Sequence, residues 1–533
     1  MSPHVAIAPI VLPLLAAALQ LLAGERRQRL VVGIGLASCV AVLASAILLL
    51  LAAMEQHAGG ATTAFYRIGD WPARFGIVLV VDRLSALMLL LAAVVAVAVL
   101  PAAAGRWQHR GNYVQPLFQF LLMGLNGSFL TGDLFNLFVF FEVLLAASYG
   151  LALHGSGARR VSAGMYYITV NLAASMLFLI GVSLVFGVTG TLNMAVLAQM
   201  IPALPANTRA LLHAGTAILG VAFLVKTAMW PLGFWLPRTY AASAPVVAAM
   251  FSLMTKVGIY VLLRLGLLLF GDLAGPGSSG FGSGWLLWGG VATIAAGVVG
   301  LLGARDIGKL AGYNVVISAG TLLGAIALRD PAVTAGALAY MVVSTLGIAA
   351  FFLVAGLLAQ EGDEDTGDAL VLEPYEPPDG AGRMEELYAE EDESRVVISA
   401  PVAMLALSFL ACTLLLAGLP PLSGFLAKFA MLAPMLEIPG AGARTLFVLV
   451  IAAGFCTVVA LCRAGIQVFW AEADRQFPQA RVTEIGAIVL LLSLCLLLTF
   501  VVEEPLRFLQ DTARQVHDAG NYINGVLPAG TAP

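Results

Sequence analysis

Gly418-Leu419-Pro420-Pro421-Leu422-Ser423-Gly424-Phe425 sits in the middle of a long apolar run over 396–435. Proline removes a backbone donor and clashes with the preceding helical turn, so a helix over this run must break near its centre. Trp230-Pro231-Leu232-Gly233-Phe234-Trp235-Leu236-Pro237 has the same effect inside the run 210–242. Hydrocarbon tolerates such a break only where protein or a wet cavity satisfies the freed carbonyls. The two octapeptides therefore predict helices that are discontinuous near mid-membrane.

Outward from these breaks, the composition makes lipid the main solvent. The 533 residues are 60% apolar and 11% charged, with a mean hydropathy of +0.95, whereas soluble domains are about a quarter charged. At about 20 apolar residues per crossing, the apolar runs predict fourteen spans. Their limits are 5–22, 30–53, 77–103, 114–131, 133–153, 162–188, 210–242, 244–269, 284–303, 308–328, 332–358, 396–435, 443–470 and 484–502. Lipid-exposed backbone must satisfy its own hydrogen bonds, so the fold class is an all-α membrane protein with about 14 transmembrane helices. The first run follows no basic n-region and is read as a retained helix. Odd loops, counted from the one after span 1, hold fourteen Lys and Arg; even loops hold five, Arg67, Arg74, Arg209, Arg329 and Arg444. That bias puts the odd loops in the cytoplasm and both termini outside.

Spans 7 and 12, the interrupted ones, are each fourth in a block of five. Matching interruptions predict an internal repeat with its transport site at the breaks. An odd number of helices per block inverts one copy relative to the other. The expected organisation is spans 1–3 over 1–110, a first inverted repeat (spans 4–8) over 111–270, and a second (spans 9–13) over 284–360 and 396–470. Span 14 and a C-terminal tail fill 471–533. Between spans 11 and 12, residues 361–395 hold 14 Asp/Glu against two Arg, a charge of −12 that leaves +8 for the rest. This segment reads as a solvated cytoplasmic loop, or as one that attracts cations or docks a neighbouring subunit.

The chain has 23 arginines but only four lysines, Lys226, Lys256, Lys309 and Lys428. Three of these fall inside spans 7, 8 and 12. A desolvated lysine can release its proton, whereas arginine stays charged. A charge at the centre of a bilayer costs about 2.5–3.5 kcal/mol on insertion scales, so these sites are held against a penalty. Proton transfer explains that; static salt bridges between helices are the alternative. Glu142, near the centre of span 5, is the matching acid, since Asp82 and Asp133 lie close to helix ends. Near a lysine it ionises and raises the lysine's proton affinity; moving the two apart releases the proton. Arg264 and Arg463 also lie inside spans, where they snorkel towards an interface or hold an acid in place.

Neither cofactor nor metal is expected. The five cysteines (Cys39, Cys412, Cys456, Cys462, Cys495) lie in apolar runs without metal-ligand spacing, and the six histidines are scattered. Haem, iron–sulfur, zinc and nucleotide sites lack a sequence basis.

The central Glu in span 5, Lys in broken span 7, Lys in span 8 and Gly-Leu-Pro-Pro-Leu-Ser-Gly-Phe-Leu-Ala-Lys in span 12 together resemble one superfamily. Its members are the antiporter-like membrane subunits of respiratory complex I and of the Mrp-type cation/proton antiporters, and the resemblance covers about 500 residues. The stretch from Phe65 to Leu87, with Gly69-Asp70-Trp71-Pro72 and Val81-Asp82-Arg83-Leu84-Ser85, is similar to the D subunits on the antiporter side. The resemblance implies that Glu142 and Lys226 form the proton-input pair, that Lys256 relays across the middle, and that Lys428 ends the second half-channel. It also implies partner subunits in a large complex in a bacterial cytoplasmic membrane, exchanging protons for a monovalent cation, Na⁺ or K⁺. Members of the superfamily commonly carry His and Lys four apart in span 11. Here Ser344 and Ile348 stand at those places, so the link from Lys256 to Lys428 runs on water held by Ser318, Tyr340, Ser344 or Thr345, or the second half does not conduct.

Three function classes follow: a secondary transporter subunit, a proton-pumping subunit of a complex I-like oxidoreductase or membrane hydrogenase, and a non-conducting scaffold. The Phe65–Leu87 stretch favours the first. The chain also ends about 30 residues after span 14, without the long lateral helix of the largest complex I homologue.

Overall fold

The structure, a computed structural model, describes residues 3–55, 64–71, 76–105, 113–359, 400–470 and 481–527. The acidic stretch 361–395 lies outside the described residues. The chain begins with α1 (Ala8–Ala23), α2 (Gln28–Glu55), strands β1 (Ala64–Arg67) and β2 (Val78–Val81), and α3 (Arg83–Ala103). Next come α4 (Val114–Leu130), α5 (Leu134–Ala152), α6 (Ala158–Thr189), α7 (Met194–Met200), α8 (Ala206–Lys226), α9 (Trp235–Ala242) and α10 (Pro245–Phe270). The second half holds α11 (Ser283–Gly303), α12 (Ile307–Ala327), α13 (Pro331–Leu358), α14 (Ala400–Ala417), α15 (Ser423–Met435), α16 (Ala441–Phe469) and α17 (Val482–Phe500). Two more helices follow the last span, α18 (Glu503–His517) and α19 (Ala519–Val526).

Among the described residues, 13 helices are long and apolar enough to cross a membrane. Val114–Leu130, with 17 residues, is about 26 Å long at 1.5 Å per residue and takes the place of the fourth expected span. The chain is a multi-pass, all-helical membrane protein with one small exception. Where a helix was expected to start at residue 77, Val78–Val81 instead pairs antiparallel with Ala64–Arg67, Phe65 facing Val80. Asp82 sets the boundary. Its side chain accepts from the Ser85 amide and the Ser85 hydroxyl accepts from the Asp82 amide, closing a capping box that starts α3 at Arg83.

Both anticipated interruptions are present. The first separates α8 from α9 between Lys226 and Trp235; the second separates α14 from α15 between Ala417 and Ser423. In the first, Trp230 N donates to Thr293 Oγ1 of α11 at 2.9 Å, so a neighbouring helix supplies a partner that the break removed. Gly233 is required there because a Cβ would lie 2.1 Å from the Ala228 carbonyl oxygen.

α10, α12 and α13 are enclosed on almost every side, whereas α1, α2, α6, α11, α16 and α17 present broad faces outward. A charge on α10 or α13 is therefore surrounded by protein rather than lipid, which is where a polar relay can be held. The amphipathic α18 buries Leu509, Ala513 and Val516 against the bundle and leaves Glu503, Glu504 and Arg507 exposed. It packs on α3, α10 and α13.

Candidate functional site

Glu142 projects from the middle of α5 and Lys226 is the last residue of α8, immediately before the break. The Lys226 ammonium is buried and lies 5.0 Å from the centroid of the Phe141 ring. Phe141 belongs to an aromatic cluster with Phe178 and Phe223, so a low-dielectric wall flanks the cation. On α5 Glu142 directly follows Phe141, whose ring the Lys226 ammonium approaches. Neither Lys226 Nζ nor Glu142 Oε1 finds a hydrogen-bond partner among the described residues. The two are thus coupled through space rather than locked in a direct ion pair, and small movements change that coupling steeply.

The next lysine is wholly enclosed. Lys256, on α10, is 0% exposed, and its Nζ donates to Ser318 Oγ of α12 at 2.6 Å. Ser318 in turn donates to Ser344 Oγ of α13 at 3.1 Å. Tyr340, buried like Ser344, lies one turn earlier on α13. Lys428 Nζ lies 5.9 Å from the Tyr340 ring centroid. Lys428 also donates to the Leu416 and Ala417 carbonyls at 3.1 and 2.8 Å. Those carbonyls end α14, so an ammonium sits where the helix break exposes acceptors and where the dipole favours a cation.

The fold therefore brings Lys256, Ser318, Ser344, Tyr340 and Lys428 into one contiguous cluster. Thr345, also named as a relay, instead donates to the Met341 carbonyl of its own helix at 2.6 Å. Ile348 is buried among apolar neighbours. The helices that carry Lys226 and Lys256 touch beside the first break: a Cβ on Gly258 of α10 would lie 2.6 Å from Thr227 Cγ2.

One ion pair was not anticipated from the sequence. Arg264, on α10, donates through both terminal nitrogens to the Asp82 carboxylate and to the Tyr260 hydroxyl at 3.1 Å. Tyr260 donates to the Phe129 carbonyl at 2.6 Å, and the Tyr522 ring of α19 lies over Arg264. Arg264 thus fills one of the two roles weighed for it, the partner of a buried acid. Arg463 holds no acid among the described residues: it donates to the Leu302 and Ala304 carbonyls, at the C-terminal end of α11. Cys39, Cys412 and Cys495 are buried, Cys456 is half-buried and Cys462 is exposed; the described residues contain no group that could hold a metal ion.

Residues 131–377 match the family described as NADH:quinone oxidoreductase/Mrp antiporter, transmembrane. Over 520 residues, 96% of this chain and 95% of the other, the sequence is 49% identical to the D subunit of a probable K⁺/H⁺ antiporter of Rhizobium meliloti. It is 31% identical over 538 residues, 98% of this chain and 99% of the other, to the D subunit of the Na⁺/H⁺ antiporter of Alkalihalophilus pseudofirmus. A chain in the structure of the Mrp complex from Dietzia sp. DQ12-45-1b superposes with a TM-score of 0.81 at 26% identity, covering 99% of this chain and 100% of that one.

Proposed function

Because this chain belongs to the family of D subunits of Mrp-type cation/proton antiporters, a transporter subunit of a multisubunit complex rather than an enzyme, we propose that it carries that antiporter's protons along Glu142, Lys226, Lys256 and Lys428. The observation that supports this most is the cluster at the centre: a fully buried lysine whose hydrogen bond continues through two hydroxyls towards a second lysine at a broken helix. A salt bridge would immobilise each lysine. Among the described residues none of the three has a carboxylate within hydrogen-bonding distance.

In this reading Glu142 and Lys226 exchange a proton as their separation changes. The charge on Lys226 then biases Lys256 electrostatically, and Lys256 hands a proton through Ser318, Ser344 and the Tyr340 hydroxyl towards Lys428. Hydroxyls suit the middle of the path because each both accepts and donates. Buried water completes the steps that exceed hydrogen-bonding distance, as it does in polar cavities generally. The two breaks fall at matching places in a block over 111–270 and a block over 284–360 and 396–470, and we take those blocks as inverted repeats. Both chain ends then lie outside a bacterial cytoplasmic membrane. The exchanged cation is monovalent. The 49%-identical relative is named for K⁺ and the 31%-identical one for Na⁺, so K⁺ is the first to test.

The experiment uses inverted vesicles bearing the whole complex, with cation-dependent ΔpH dissipation as the readout. Glu142→Ala, Lys226→Ala and Lys428→Ala each abolish exchange while the complex still assembles. Lys226→Arg is also inactive, because arginine cannot release the proton. Normal exchange in all three alanine variants would leave only a scaffold.

A further inference from the structure

A slot of about 490 Å³, open along one side, lies behind the lysine cluster. Its walls come from α2, α3, α13, α15 and α17, and the first turns of α18 line one end, beside its mouth. On α3 it extends from Leu87 to Val94, on α13 from Ala339 to Leu346, and along α17 from Leu494 to Val501 just past its end. Each interval is seven residues, about 11 Å at 1.5 Å per residue. All lie in the half of the bundle that carries α18, and the slot ends at Ser423, where the second break resumes as helix. It is thus as deep as most of one leaflet, since half of the hydrocarbon core is about 15 Å.

The chemistry of the walls selects the occupant. Among the described residues, Ser423 at the closed end and Glu504 at the mouth are the only polar ones lining the slot. A buried water needs two to four polar partners, so the apolar stretch between them cannot order water. The seven-residue walls make the slot about 11 Å deep, which a spanning helix of about 30 Å would overrun. A slender apolar chain fits. At the mouth, Glu503 and Glu504 face a single Arg507, which bonds Glu503 at 2.8 Å and approaches Glu504 at 3.7 Å. This local excess of negative charge repels an anionic headgroup and suits an ammonium.

We propose that the slot is a phospholipid site: one acyl chain enters from the leaflet on the α18 side, and an amine-bearing zwitterionic headgroup lies against Glu503 and Glu504. The chain seals the outer faces of α13 and α15 from solvent. Those are the helices that carry Tyr340 and Lys428. The site stands whether or not protons follow the path described above, because binding is read separately from transport.

The test is native mass spectrometry of the whole complex, equilibrated in an equimolar mixture of phosphatidylethanolamine and phosphatidylglycerol. The wild type retains one phosphatidylethanolamine that is absent from complexes with a filled slot. Val94→Phe and Leu497→Trp fill the slot from opposite walls, and each lowers that retention at least fivefold. Two variants on different helices keep the result readable if one fails to assemble. Glu504→Lys leaves the slot open and shifts the preference towards phosphatidylglycerol. Equal lipid retention in wild type and in the assembled filled-slot variant overturns the proposal. So does a Leu497→Cys variant that cross-links to a partner subunit instead of losing reactivity when lipid is added.

Discussion

Lys256 Nζ and Ser318 Oγ lie 2.6 Å apart, joining α10 to α12 at a point where the lysine has no exposed surface. Among the described residues, the serine is the only hydrogen-bond partner the ammonium has. Deleting it leaves a buried polar group unpartnered, at about 1–3 kcal/mol or more for a charged one. Ser318→Ala is therefore expected to slow cation-dependent ΔpH dissipation about tenfold, equivalent to ~1.4 kcal/mol in a barrier. Ser318→Thr keeps the hydroxyl and most of the rate. Vesicle assays normalised to assembled complex decide it, and an unchanged alanine variant would remove Ser318 from the path.

The Asp82–Arg264 pair calls for the opposite pattern. Both side chains are buried, Asp82 is already used by the Ser85 cap, and Arg264 by Tyr260. Breaking a buried pair from one side costs about 3–5 kcal/mol, whereas replacing both partners by apolar groups is often neutral. Asp82→Asn and Arg264→Gln should each lower the thermal stability and yield of the complex. Asp82→Leu combined with Arg264→Met should recover much of the loss. Exchange per assembled complex should stay near wild type in all three, because arginine does not release a proton. Thermal unfolding followed by fluorescence-detected size exclusion reads the first effect, and vesicle transport the second.

The bundle and its breaks were legible in the sequence because a bilayer leaves the backbone few choices. Apolar run length marked the spans, and Pro231, Pro237, Pro420 and Pro421 marked the interruptions. What the sequence hid depends on which residues meet across the bundle. Asp82 and Arg264 are 182 positions apart, so the sequence offered Arg264 an acid to hold without saying which one. Without the His and Lys of span 11, the sequence offered only hydroxyls, Ser318, Tyr340, Ser344 and Thr345, as a link from Lys256 to Lys428 and could not say which of them meet. Only packing reveals that Ser318 on α12 brings Lys256 within one further hydrogen bond of α13. The β1–β2 pair was missed because Val78–Val81 continues almost directly into the apolar run of α3, and apolar periodicity cannot separate a short buried strand from helix. Likewise α18 and α19 carry too much charge or too little length to register as spans.

His517 ties α18 to α13, its Nε2 3.0 Å from Thr334 Oγ1. Burial lowers its pKa, opposed by Asp330 and Asp272 and reinforced by Arg329. Of the other charges on the helices packed against α18, Arg83 pairs with Asp511, Arg264 with Asp82, and Lys256 bonds Ser318. A lowered histidine pKa means that the docked helix binds fewer protons than the released one. Docking is then strongest above the free value of about 6.5 and weakens as pH falls through that value towards the docked one. Protection from hydrogen exchange across 503–526, corrected for the intrinsic pH dependence of amide exchange, should be lower at pH 5.5 than at pH 7.5, at ~1 unit either side of the free value, and His517→Gln should flatten the difference. Equal protection at both pH values in the wild type would exclude His517 as the sensor.

Gly336 offers the sharpest test of the packing beneath Tyr340 and Lys428. It lies where α13 crosses α15, and a Cβ there would fall 2.3 Å from both Met431 N and Met431 Cα. These are backbone atoms, so no side-chain rotation makes room, and the helices must separate. Overpacking of this kind costs about 1–3 kcal/mol. Tyr340 follows Gly336 by one turn, and Lys428 precedes Met431 by three residues, so the separation opens the 5.9 Å approach between them. Gly336→Ala should therefore reduce exchange more than it reduces assembly. By contrast, Gly347→Ala lies further along α13, where a Cβ would make only ordinary contacts at 3.6–4.0 Å, and should change neither. The comparison needs the two variants in the same vesicles and at matched complex levels. If Gly336→Ala exchanges at the wild-type rate, close contact between α13 and α15 is not what holds Lys428 in the path.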